Sequence, residues 1–317
     1  MKECLRIATR SSQLALWQAE HIAGRIRELD ASQQVDLVHV STQGDRDQSE
    51  PLRDFGGLGV FTREVQRAVL DGRADLAVHS LKDLPTESVA GLVLAAVPAR
   101  EQIDDVLVLP ADSSWKPVPG RRLQDLPAVW RVGTGSPRRQ AQLSYLQPGW
   151  KMSEVRGNVG TRLRKLDDGD YDALILAAAG LRRLGLQDRI SMPLSPPLLL
   201  PAVSQGALGI ECRHDDFDLR EKLAAINHEQ TFAAVTAERA LLSDLRAGCH
   251  APLGAHTLFR AGNSITVDAV VLNLAGTTRI SASITGPVSD AESLGRELAE
   301  KLRSLGAARL IETSSPA

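Results

Sequence analysis

Apolar positions along this chain follow two rhythms, and the rhythms alternate. Leu5–Ala8 is a short apolar run of the kind that predicts a buried strand. Ala15, Ala19, Ile22, Ile26 and Leu29 then recur at spacings of 4, 3, 4 and 3, one face of a helix laid on a sheet. Val35–Val40 predicts a second strand. Phe61–Leu70 predicts a helix with Val65, Ala68 and Val69 inward and Gly72 as its stop. Leu76–Val78, Leu92–Pro98 and Val106–Leu109 read as further strands. Ser41–Gly59 breaks the rhythm and carries the run Gly56–Gly59. Such an insert reads either as a lid or as an ordinary surface loop.

The alternation resumes at Val129–Val132, a strand leading into Gly133-Thr134-Gly135. Ser136 fits a helix N-cap and Pro137 the first helical position. Arg138 and Arg139 follow in the first turn, where cations oppose the helix dipole at a cost of roughly 0.3–1 kcal/mol each. An anion on the exposed N–H groups would offset that cost and draw both guanidinium groups toward it; a solvated arginine face is the alternative. Lys151–Val155 is the next strand, and Arg156-Gly157-Asn158 opens a helix with Arg162 in its early turns. Asp172–Ala179 reads as a strand ending at Gly180, with Arg182 and Arg183 beyond it. A basic group thus follows a strand end three times. Arg10 and Ser12 occupy a similar corner after the first strand, and Lys82-Asp83 lies just past a strand's carboxyl end, where open α/β sheets place ligands.

The last third changes character. Proline-rich Ser195–Pro201 and Ala202–Glu211 look like a crossing back to the first domain, and Cys212 reads as a buried structural thiol. Helices are expected at Asp218–Ile226 and Thr231–Leu245. Cys249 follows in a Gly/Pro loop, Ala247–Gly254. Alternating segments at Ile265–Val271 and Ile280–Ile284 suggest an antiparallel sheet. Ser289-Asp290-Ala291-Glu292 reads as a capping box for a helix with Leu294, Leu298 and Leu302 on one face. The tail Thr313–Ala317 is expected to fray.

At 317 residues two or three domains are expected, with a hinge near Ala99–Asp105. Net charge is −2, yet Arg131–Lys165 holds eight Lys/Arg against one acid, Glu154, which points to an anionic ligand in a cleft and not to a polyanion surface. Three cysteines without a CxxC pair argue for a reducing compartment. Arg6 and Arg10 interrupt any signal-peptide core and no apolar run reaches membrane-span length, so a soluble cytoplasmic protein is expected. The chain lacks GxxxxGK[ST] and HExxH, and Arg138 stands where a dinucleotide fingerprint needs its third glycine. The seven histidines show no metal-ligand spacing, and no metal is expected.

RIATRSSQLALWQ, AVHSLKDLP, GTGSPRRQAQ, RGNVGTRL, LPAVSQGALGIECR and AGCHAPLG, in this order over nearly the whole chain, resemble the porphobilinogen deaminase (hydroxymethylbilane synthase) family. The resemblance implies an α/β fold. Two periplasmic-binding-protein-like domains with doubly wound mixed sheets (1–99 with 206–226, and 105–200) would precede a small α+β domain (229–317). It implies condensation of four porphobilinogens, with loss of ammonia, on a covalent dipyrromethane primer, then hydrolytic release of the linear tetrapyrrole. By the same resemblance Asp83 is the catalytic carboxylate and Cys249 the thioether anchor. Lys82, Asp83, Thr134, Ser136, Arg138, Arg139, Arg156 and Gly157 would bind the cofactor, and Arg10, Ser12, Arg162, Arg183 and Gln205 the substrate. A charge-assisted bond of this kind is worth about 1.5–3 kcal/mol. A monomer with no nucleic-acid or membrane partner is expected.

The pattern breaks in places. Asp54 and Leu58 stand where the family commonly carries lysines, Gln43 where an arginine is usual, and Gln102-Ile103-Asp104 replaces an acidic-proline-arginine run. Either Arg46, Arg53 or Arg63 compensates, or binding is altered. A catalytically altered paralogue serving as a small-molecule binder or regulator is the alternative function. An RNA-binding protein using the Arg131–Lys165 patch is disfavoured by two Tyr and five Phe.

Overall fold

The computed structural model describes residues 3–41, 62–115, 122–248 and 251–312. The chain forms two compact units, one of Met1–Glu101 with Gly206–Val235, the other of Gln102–Gln205 with Thr236–Ala317.

The first unit opens with β1 (Cys4–Arg10), α1 (Gln13–Leu29), β2 (Gln34–Val40), α2 (Arg63–Leu70), β3 (Leu76–Ser80) and β4 (Leu92–Ala96). In the second unit come β5 (Asp105–Val108), β6 (Arg131–Gly133), α3 (Pro137–Leu146), β7 (Lys151–Ser153), α4 (Val159–Asp167), β8 (Ala173–Ala177), α5 (Ala178–Arg183) and β9 (Met192–Leu194). The chain then returns as β10 (Leu208–Arg213) and α6 (Phe217–Ala224). Helix α7 (Glu229–Asp244) carries it back, and β11 (Leu253–Arg260), β12 (Ser264–Leu272), β13 (Arg279–Pro287), α8 (Ala291–Ser304) and α9 (Ala307–Glu312) follow.

The two five-stranded sheets share one plan. Their orders are β2-β1-β3-β10-β4 and β7-β6-β8-β5-β9. In each, the first three strands are parallel and the fourth runs antiparallel to both neighbours. The antiparallel strand is the last to enter the first sheet and the first to enter the second.

Each sheet is buried on both faces, as mixed sheets of this kind require. Leu5 and Ile7 of β1 pack on Ile22 and Ile26 of α1 and on Leu219 and Leu223 of α6, while Ala8 faces Val65, Ala68 and Val69 of α2. In the second unit Leu143 of α3 packs with Leu107, Val132 and Ile175 on one face; Leu163 and Leu166 of α4 pack with Val106, Val108 and Leu174 on the other. The α/β architecture expected from the alternating rhythms is present, with the small antiparallel sheet β11-β12-β13 beside it.

Three local expectations change. The strand expected to reach Ala179 stops at Ala177, and the helix-favouring Ala178–Arg183 winds as α5. Arg182 and Arg183 therefore sit in the last turn of a helix, where cations complement the dipole, and not after a strand end. No capping box forms at Ser289: Asp290 is the N-cap without a side-chain cap bond, and Ser289 Oγ donates to Asp290 Oδ1 (2.8 Å). Strand β11 was not anticipated, because its buried positions Leu253, Ala255 and Thr257 include small and polar residues. Leu294, Leu298 and Leu302 do share one buried face of α8. No helix of the described residues is long and apolar enough to cross a membrane.

Candidate functional site

In the first unit two corners meet. β1 ends at Arg10, and Ser12 caps α1 by accepting from the Ala15 N–H (3.3 Å). β3 ends at Ser80, and a single 3₁₀ turn, Leu81–Asp83, follows. The Leu81 N–H donates to the Ala207 carbonyl (3.0 Å), and the buried side chains of Leu81 and Leu84 pin both ends of this turn. Asp83 is thereby left exposed and Lys82 half-buried. A pocket of about 80 Å³ results, lined among others by Arg10, Ser12, Gln18, His79, Ser80 and Asp83. Gln18 Nε2 donates to Ser80 Oγ (2.6 Å), which locks α1 to the end of β3. So the fold brings Arg10, Ser12 and Asp83 to one cavity although some seventy residues separate them.

The second unit repeats the corner. Thr134 N–H donates to the Ser153 carbonyl (2.9 Å), and Ser136 caps α3 by accepting from the Arg139 N–H (3.5 Å). Gly135 lets the chain pass close to Val155, whose carbonyl oxygen would lie 3.2 Å from a Cβ there. Asn158 caps α4 through the Thr161 N–H (2.9 Å), and Gly157 takes φ +103°, which a side chain would strain. The Gly157 carbonyl accepts from Arg162 Nε (2.8 Å), and Arg156 pairs with Glu154 (2.8 Å). Arg183 is buried at the end of α5.

Arg138 and Arg139 turn inward. Arg138 Nη1 donates to Asp105 Oδ2 (2.6 Å) and to the Leu200 carbonyl (2.7 Å). Arg139 Nε donates to Asp105 Oδ1 (2.8 Å) and its Nη1 to the Ile175 carbonyl (3.0 Å). Gln205 Nε2 joins them, donating to Asp105 Oδ1 (3.0 Å) and to the Ile103 carbonyl (2.6 Å). Burial alone would raise the Asp105 pKa. The charges of Arg138 and Arg139, with hydrogen bonds from Arg138 and Gln205, outweigh it and hold the carboxyl well below the usual range. The anion that these arginines pair with here is the protein's own Asp105.

Asp105 was not singled out by the sequence; an acid opening an apolar strand, DVLV, was the available signal. His79 and Glu211 were also missed. Cys249, the lid positions Gln43, Asp54 and Leu58, and Arg46 and Arg53 lie outside the described residues; Arg63 is exposed at the start of α2. Cys212 is buried, and burial pushes its thiol up to about 11. The hydroxyl, guanidinium and backbone N–H donors at these corners suit a ligand rich in carboxylates. Arg138 Nε adds a buried donor with no hydrogen-bond partner. A carboxylated dipyrromethane fits that donor set.

The family model described as the porphobilinogen deaminase dipyromethane cofactor binding domain matches residues 5–221, and that of the porphobilinogen deaminase C-terminal domain matches residues 232–304. The porphobilinogen deaminase of Chromobacterium violaceum is 47% identical over 305 residues, covering 96% of this chain and 96% of that protein. The enzyme of that name from Geobacter metallireducens is 44% identical over 307 residues, covering 97% and 93%. The solved effector-binding domain of BenM with benzoate overlaps 78% of this chain and 94% of its own at 14% identity, with a TM-score of 0.41. Matched in order by both domain models and by relatives aligned nearly end to end, the chain belongs to the porphobilinogen deaminase family.

Proposed function

We propose that this chain is a hydroxymethylbilane synthase. It condenses four porphobilinogen molecules, one at a time, on a covalently held dipyrromethane and then releases the linear tetrapyrrole by hydrolysis. The observation that carries this reading is the pocket where Asp83 stands beside Arg10 and Ser12, in a chain whose family is defined by this chemistry.

Each porphobilinogen brings an acetate, a propionate and an aminomethyl group. Arg10 and Ser12 hold a substrate carboxylate at the first corner; Lys82 binds a carboxylate of the dipyrromethane beside it. Departure of ammonia from the aminomethyl carbon leaves an electron-poor pyrrole cation. The Asp83 carboxylate stabilises that charge and accepts hydrogen bonds from the pyrrole N–H groups, orienting the ring. A carbon–carbon bond then forms as a ring proton is lost, and Asp83 takes up that proton. The dipyrromethane, when bound, supplies the fixed ring to which the first unit is joined. Cys249 anchors it through sulfur, and Thr134, Ser136, Arg138, Arg139, Arg156 and Gly157 receive its carboxylates. Arg162, Arg183 and Gln205 serve the growing chain. The chain works as a cytoplasmic monomer of three domains, with no nucleic-acid or membrane partner.

The test is direct. Protein from cells supplied with porphobilinogen should exceed its polypeptide mass by two linked pyrrole units, and Cys249→Ala should not. Added porphobilinogen should yield ammonia and, after oxidation, uroporphyrin absorbance. Bare polypeptide mass together with no ammonia would leave a binding or regulatory protein instead.

A further inference from the structure

Asp105 is the first residue of β5, an interior strand of the second sheet with an antiparallel neighbour on each side. Its backbone registers with Ala177 on one side and Leu194 on the other, so its position is fixed. Its side chain is fully buried, and Arg138, Arg139 and Gln205 are each more than nine-tenths buried around it. Charges are held in such surroundings only where partners are in place beforehand. Both carboxylate oxygens are used, Oδ2 by Arg138 and Oδ1 by Arg139 and Gln205.

The cluster has a second consequence. Gln205 is the last residue of the second unit before the chain departs, and Ser204 before it has φ 61°, with its N–H bonded to Glu238 (2.7 Å). Through Gln205, Asp105 joins that departing segment to the incoming one at Ile103. Arg138 reaches the same returning stretch at the Leu200 carbonyl. Its Nε is buried and has no hydrogen-bond partner.

We propose that Asp105 is the positioning residue of the arginine pair, holding Arg138 and Arg139 in the geometry that receives the carboxylates of the pyrrole primer and fastening them, through Gln205, to the crossing segments. This rests on the reading that the pair binds the primer. Asp105 itself touches no ligand; it acts through the two guanidinium groups. Neutralised, it leaves them without the anchor that sets their direction, and primer capture slows while the rest of the fold persists.

The test uses the full chain made in cells that cannot synthesise porphobilinogen. Porphobilinogen is then added and primer attachment followed by intact mass. The wild type should load. Asp105→Asn should load at least ~10-fold more slowly with an unchanged far-ultraviolet spectrum, because a preorganised charge partner is worth about that much or more. Asp105→Glu should recover part of the rate, which a role in packing alone would not produce. Gln205→Leu, which keeps both ion pairs, should slow loading less than Asp105→Asn. Wild-type loading by Asp105→Asn overturns the proposal. If that variant does not fold, wild-type loading by both Asp105→Glu and Gln205→Leu overturns it equally. Failure of the wild type to load would sink the underlying reading, and the proposal with it.

Discussion

His79 Nε2 lies 3.0 Å from Glu211 Oε2, and both side chains are buried in the first unit. The approach is close in distance but is not aligned as a hydrogen bond. Glu211 takes its hydrogen bonds from Gln66 Nε2 instead, at 3.2 and 2.9 Å. Helix α2 is therefore joined to β10 by a polar contact inside an otherwise apolar layer, directly behind the pocket that His79 lines. Gln66→Leu keeps the volume and removes both bonds. It should destabilise the fold by about 1–3 kcal/mol, the cost of an unsatisfied buried acceptor. Urea unfolding would show this as a lower midpoint, and an unchanged midpoint would contradict it.

Asp83→Asn keeps the shape of the pocket and removes the charge. Turnover should fall by at least ~10²-fold, the scale of one preorganised electrostatic partner. Asp83 is exposed, so stability should change by no more than about 0.5 kcal/mol. Near-normal turnover with porphobilinogen would remove Asp83 from the reaction.

Much of this site is readable before any coordinates because its parts are local. Ser136 and Asn158 cap their helices as their residue types foretell. Val65, Ala68 and Val69 face inward because helical periodicity decides it. Asp105 was not readable, since its partners lie 33, 34 and 100 positions away and no periodicity connects them. The start of α5 was hidden for another reason. An apolar strand running straight into Ala-Ala has no cap residue to mark the change. Ser289 misled by showing a capping-box pattern where a 3₁₀ turn, Val288–Asp290, already occupies the backbone.

Cys212 offers a prediction in pH. Its folded pKa is raised by burial, from 9.0 to about 11. A raised pKa means stability that is fully present below the unfolded value and lost as pH climbs through the folded one. The wild type should therefore lose stability between about pH 9 and 11, and Cys212→Ala should show less of that loss. In the native protein near pH 8, Cys212 should resist alkylation and react only in denaturant; rapid native modification, mapped by peptide mass, would contradict this.

Two helical glycines should respond to alanine with opposite signs. Gly295 lies in α8, and a Cβ there would stand 2.2 Å from the Ala237 carbonyl oxygen, 2.8 Å from Ala240 Cβ and 3.0 Å from the Leu241 nitrogen. Two of these neighbours are backbone atoms of α7, which move only if the helices part. Alanine brings about 1 kcal/mol of helix propensity, while forcing a packed interface apart costs about 1–3 kcal/mol. Contact outweighs propensity, so Gly295→Ala should lower the urea midpoint with little change in slope. Gly24 in α1 has no atom within 4 Å of its would-be Cβ, leaving propensity unopposed. Gly24→Ala should raise the midpoint by the equivalent of up to about 1 kcal/mol. Neither residue lines the Asp83 pocket, so turnover at a temperature where both variants are folded should match the wild type. Equal shifts of the same sign would show that helix α8 does not approach α7 as closely as its glycine requires.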